Sequence, residues 1–264
     1  PSSSANLVTP LGGFDESRKF FTEETTVFNG AQFATLVTAI TNNESGIGET
    51  EASDVRTIEF SGPIVLGADV DVSGLDVAID FNGYAIEVPA GRTLDLTAAQ
   101  ANDGTITGTG AVVVTGLADA PADLDLSGIT AADATIEIAA DLPLDSASTW
   151  NLGNLSLTVT APAVLTLTAA QADGMTIVGD GAVVITGLGS DPVDLSEITP
   201  AGGVTATVSA DLALSSLTDL GDLALTLDGE IVLTLTRAQL DGRAIAGDAA
   251  TLRFGGDATA IDLS

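Results

Sequence analysis

The chain has 264 residues, 37 acidic and 7 basic side chains, no His, no Cys and a formal charge of −30. That charge repels phosphate backbones and anionic membrane surfaces, and the missing residue types remove disulfides, thiol nucleophiles, imidazole bases and the usual zinc, copper and iron ligands. With 45% hydrophobic and only 17% charged residues, the composition is that of a folded chain and unlike an acidic disordered tail.

Aromatic residues make up 4% of the chain. The core must therefore be aliphatic, which suits pleated layers of Val, Ile, Leu and Ala. No apolar run approaches the ~18 residues that a membrane helix needs. The chain opens at Pro1 and its one Met is Met175, which fits either removal of a leader or a trimmed start.

In chain order, residues 1–29 read as an extended N-terminal arm. Within it Phe14, Arg18, Lys19, Phe20 and Phe21 gather three rings and two cations on an otherwise acidic chain. Two readings stand: an interface that docks on the next subunit, or rings packed beneath the chain's own helix. Residues 30–56 read as a capping helix and linker. In AQFATLVTAITN, Ala31 to Asn42, the positions Phe33, Leu36, Val37 and Ile40 share one helical face, which would cover the open end of a β-stack.

From residue 57 onward a block recurs: LDLTAAQANDG from Leu94, LTLTAAQADG from Leu165 and LTLTRAQLDG from Leu233. A Gly-punctuated strand pair follows each block, and each copy then reaches Asp-Leu-Ser, at Asp125, Asp194 and Asp262. The closing serines Ser127, Ser196 and Ser264 are 69 and 68 residues apart. Upstream, TIEFSGPIVL at Thr57, TIEIAADLPL at Thr135 and TATVSADLAL at Thr205 also correspond. The phase gives three repeat units, 57–127, 128–196 and 197–264, and the last shows nothing resembling a second cap.

Runs of alternating polarity broken by Gly, Asp, Asn and Pro predict strands throughout these units. Each unit holds three stretches of ~20 residues, the length of one solenoid coil. The fold expected is all-β, a parallel β-solenoid of about nine coils, in preference to a string of small antiparallel sandwiches. TAAQADG reads as a helical turn or a corner.

The helix followed by VRTIEFSGPIVLGADVDVSGLDVAIDFNGYAIEV, Val55 to Val88, resembles the opening of secreted parallel β-helix proteins of the pectate-lyase-like class. It is also similar to segments of repetitive bacterial adhesins and surface-layer proteins. The resemblance implies a β-helix fold and a secreted or cell-surface location. The class includes polysaccharide lyases and hydrolases, spikes, adhesins and filaments, so it implies fold more than function. Its enzymes carry acidic and basic clusters on one face, whereas Arg56, Arg92, Arg237, Arg243 and Arg253 are scattered singly.

Carboxylate pairs are the available catalytic equipment, and Asp69 with Asp71 and Asp123 with Asp125 have same-face spacing on a strand. Asp and Ser at the end of a β-run are also what a turn needs, and the structural reading is preferred. Calcium is the cation that suits oxygen ligands, yet neither a calcium-binding nonapeptide nor an EF-hand loop is present. Thr-x-Thr pairs, such as Thr158 with Thr160 and Thr205 with Thr207, are spaced too irregularly for an ice-binding ladder and read as β-propensity on a solvated face.

The expectation is therefore a non-enzymatic structural protein without a cofactor, secreted, polymerising head to tail through Phe14, Arg18, Lys19, Phe20 and Phe21 at one end and Asp262, Leu263 and Ser264 at the other. Its expected partner is itself, with no nucleic acid and no membrane insertion. The alternatives are a monomeric adhesin or stalk that binds cell-surface glycans, and then a polysaccharide-acting enzyme.

Overall fold

The computed structural model describes residues 13–14, 19–21, 28–29, 37, 57–60, 62–144, 150–247, 250–255 and 260–262. The chain divides into two compact units, Pro1–Ile136 with Thr149–Leu155, and Glu137–Ser148 with Ser156–Ser264. Each unit is built by parallel stacking of short strands, and together they hold about nine turns of β-solenoid.

Unit 1 contains β1 (Gly13–Phe14), β2 (Lys19–Phe21), β3 (Phe28–Asn29), β4 (Thr57–Glu59), β5 (Ile64–Val65), β6 (Val70–Asp71), β7 (Ala78–Asp80), β8 (Ala85–Val88), β9 (Thr93–Thr97), β10 (Thr105–Gly108), β11 (Ala111–Thr115) and the start of β12 (Asp133–Ile138). Three parallel stacks follow from them: β2-β4-β7, β3-β5-β8-β10 and β6-β9-β11-β12. One coil is one strand from each stack. Val70 pairs with Leu94 and Leu94 with Val112, steps of 24 and 18 residues.

The period of two sets which side chains face inward. In β9 Leu94 and Leu96 are fully buried while Thr93, Asp95 and Thr97 are partly exposed. Ile58, Ile64 and Ile86 in the other two stacks have no exposure or almost none, each stabilising the fold by about 1.5–3 kcal/mol. Phe60 and Phe81 meet edge to face at 5.6 Å between centroids, so ring packing is confined to this unit's early coils among the described residues.

Unit 2 contains the end of β12, β13 (Leu142–Pro143), β14 (Ser156–Val159), β15 (Val164–Thr168), β16 (Ile177–Val178), β17 (Ala182–Thr186), β18 (Val204–Val208), β19 (Leu212–Ala213), β20 (Ala224–Leu227), β21 (Val232–Leu235), β22 (Ile245–Gly247), β23 (Thr251–Phe254) and β24 (Ala260–Asp262). One stack runs β13-β15-β17-β18-β20-β22, all parallel; another runs β19-β21-β23, with β24 added antiparallel.

The sequence repeat and the coil are out of phase. Three steps from Leu165 lead through Val183 and Val204 to β20, which ends at Leu227. The third block starts beyond it, and Leu233 pairs instead with Leu212 and Leu252 in the neighbouring stack. One repeat therefore spans three coils and one further face.

The described parts of residues 1–29 pair with the chain that follows them. Residues 19–21 pair in parallel with Thr57–Glu59, residues 28–29 with Ile64–Val65, and β1 folds back antiparallel on β2. The physical reason is the row of unpaired N–H and C=O groups on the outer edges of β4 and β5, which the nearest chain satisfies. Of residues 30–56 only Val37 is described, helical and buried, so the remainder of the expected capping helix lies outside the described residues. At the other terminus, where no cap was expected, β24 covers the outer edge of β23.

Candidate functional site

The recurring block builds one corner three times. Thr97, Thr168 and Thr236 are N-caps of the helical turns Ala98–Ala101, Ala169–Ala172 and Arg237–Leu240, and each closes a reciprocal box with Gln100, Gln171 or Gln239. Gln100 and Gln239 also reach back one coil. The Gln100 amide donates to the carbonyls of Val72, Leu75 and Val77 at 2.9, 3.1 and 3.1 Å, and the Gln239 amide to Ser215 and Thr218 at 2.7 and 2.9 Å. Gln100 is 4% exposed and Gln239 6%, so these bonds replace water that the carbonyls cannot reach.

A second device recurs beside it. Asp69, Asp141 and Asp211 accept the N–H of Thr93, Val164 and Val232, the residue before each block, at 3.1, 2.9 and 2.8 Å. After the corner, Asn102 accepts the N–H of Asp125 at 2.8 Å and Asp173 that of Asp194 at 2.7 Å. The Asp-Leu-Ser segments at Asp125 and Asp194 close tight turns. The hydroxyl and N–H of Ser127 both donate to one Asp125 oxygen, at 2.6 and 2.9 Å, and Ser196 does the same to Asp194 at 2.6 and 3.0 Å.

These contacts bear on Asp125, one member of a candidate carboxylate pair, and on Asp194. The Ser127 hydroxyl, helped by its N–H, holds Asp125 below the usual carboxylate range, and the Ser196 pair does so for Asp194. A carboxyl kept ionised is a poor general acid, which needs a raised pKa. Asp71 accepts the Ser73 hydroxyl at 2.6 Å, and Asp69 accepts the backbone N–H of Thr93. Asp123 is exposed. Among the described residues no group of three or more Asp or Glu converges in a way that could hold a metal ion, and no helix is long and apolar enough to cross a membrane.

The proposed interface residues separate into two sets. Phe14 lies in β1 and Lys19, Phe20 and Phe21 form β2, while Asp262 ends β24 opposite Thr251. Arg18, Leu263 and Ser264 lie outside the described residues.

Two features escaped the sequence reading. The first is the backward reach of Gln100 and Gln239, because the Thr-x-x-Gln spacing signals only the local capping box. The second is Arg243, whose guanidinium donates to the carbonyls of Gln239, Leu223 and Gly221 at 2.7, 2.6 and 2.9 Å. Burial lowers its pKa, with Asp219 and Asp222 opposing that effect. It closes one side of a cleft of about 260 Å³ lined by Leu217, Thr218, Asp219 and Gln239. Leu217 is 78% exposed there, and the buried Thr218 hydroxyl has no hydrogen-bond partner within the protein.

Comparison with protein-family models, curated proteins and solved structures found no match.

Proposed function

We propose that the chain is a secreted structural protein of the β-helix surface class that associates with copies of itself, head to tail, into an extracellular filament, sheath or surface layer. The observation that carries this reading is the use made of the recurring polar residues. Thr97, Gln100, Asp125, Ser127 and their described counterparts bond to the chain's own backbone and to one another. A sequence period occupied by the hydrogen bonds of a coil is a period that maintains shape.

The charge of −30 supplies the control. It holds copies apart at low ionic strength and lets added salt, calcium or acid set the onset of assembly. Negative-stain microscopy of the purified chain before and after such additions tests this. Ordered filaments or sheets support it, and dispersed particles under every condition set it aside.

A second reading, a monomeric adhesin or glycan-binding stalk, is favoured by the cleft beside Thr218. Reproducible glycan-array hits from a monomeric sample would select it.

A further inference from the structure

The last described strand pair departs from a rule that the two earlier copies obey. β11, β17 and β23 are equivalent, because each lies one step after the recurring block: Leu94 pairs with Val112, Leu165 with Val183 and Leu233 with Leu252. On their outer edges β11 and β17 take a parallel strand, with Val113 opposite Thr135 and Val184 opposite Thr205. Those two threonines open the corresponding segments TIEI and TATV. β23 takes β24 instead, antiparallel, with Arg253 opposite Ala260.

The third segment of that series is TIEF, which starts at Thr57 and forms β4. Its outer edge is occupied by β2, with Lys19 opposite Thr57 and Phe20 opposite Ile58. By register Lys19 and Phe20 hold the positions of Val113 and Val114 in copy one, and of Arg253 and Phe254 in copy three. A cation followed by Phe thus stands at both places. β2 is a stand-in for β23, and β24 fills the place of a TIEF strand.

We infer that the outer edge of β23 is a docking surface for β4 of a second copy, in parallel register with Arg253 opposite the second copy's Thr57, β24 and β2 being displaced as the two edges join. Strand exchange of this kind replaces two short pairings of three residues each, β2 with β4 and β24 with β23, by a join that continues the coil. The contact is heterologous and does not close on itself. This inference rests on the self-assembly proposed above and specifies its joint.

The chain has no Cys, which makes a cross-linking test clean. Strands in a sheet lie about 4.8 Å apart, inside the Cα spacing of roughly 4.4–6.8 Å that a disulfide requires. Full-length Thr57→Cys and Arg253→Cys chains are mixed, brought to assembly conditions and oxidised. Reducible covalent dimers are expected in the mixture and in neither chain alone. The double variant Thr57→Cys/Arg253→Cys is expected to give a ladder of multimers, and Lys19→Cys/Thr57→Cys an intrachain bond at low salt that blocks assembly. A wild type that assembles while the mixture cross-links no more than an Asp80→Cys/Arg253→Cys control overturns the inference and leaves the assembly reading intact. A wild type that never assembles overturns both.

Discussion

The side-chain amide of Gln100 donates to the carbonyl of Val72, 28 residues earlier, at 2.9 Å. The same amide serves Leu75 and Val77, and its carbonyl oxygen accepts the N–H of Thr97. One side chain thus fixes a corner and ties it to the preceding coil. Truncation leaves buried carbonyls without a donor, at about 1–3 kcal/mol for each group left unpaired. Gln100→Ala is therefore expected to lose about 2–4 kcal/mol in urea unfolding, against about 0.5 kcal/mol or less for the exposed control Asp76→Ala.

Gly179 and Gly174 separate backbone conformation from close approach. Both have positive φ, +108° and +69°, but a Cβ on Gly179 would lie 2.2 Å from the Val159 carbonyl oxygen, whereas Gly174 has open space. Gly174→Ala should cost about 1–2 kcal/mol for the left-handed backbone alone. Gly179→Ala should cost about 3 kcal/mol or more, because the coil below must shift as well. Equal losses in thermal unfolding would contradict this account of the coil spacing.

Asp125 titrates below an ordinary aspartate because the Ser127 hydroxyl and N–H bind its ionised form. A pKa lowered by folding means that the folded state binds its proton less readily than the unfolded chain does. Its contribution to stability is therefore present above the unfolded value of 3.8 and is lost as pH falls through the folded one. Carboxyl carbon shifts in an NMR titration should place Asp125 and Asp194 below the ordinary aspartate value of 3.8. Ser127→Ala should return Asp125 toward the ordinary value and leave Asp194 unchanged.

Repulsion among carboxylates should make the isolated fold sensitive to salt. With 37 acidic and 7 basic side chains, thermal stability should rise from low to moderate ionic strength as repulsion is screened. A midpoint that does not move with salt would mean that the charges are spaced widely enough not to interact.

Much of the coil was legible in the sequence because its period is local. Alternation in LTLT sets the buried face, and Gly and Asp mark the bends, so strands and coil length follow from single stretches. The phase between repeat and coil was not legible, since it depends on summed steps of 18 and 24 residues that only pairing reveals. The pairing of the terminal strands was not legible for a related reason. Lys19 to Phe21 can be read from sequence as an interface segment or as a segment held by its own chain, and only the edge of β4 gives it a pairing partner. Of the site, the Asp-Leu-Ser turns were read correctly as turns, because Asx chemistry acts over two residues. The Gln100 staple acts over 28, a distance no local pattern encodes.

The central claim is that this acidic solenoid is a building block whose copies join when repulsion is removed. Light scattering on the full-length chain, across salt, calcium and pH down to the isoelectric region near 4.1, tests it directly. The account predicts a 26.3 kDa species at low salt and neutral pH, and growing multiples of that mass as charge is screened or neutralised. A single 26.3 kDa species under all of these conditions would contradict it.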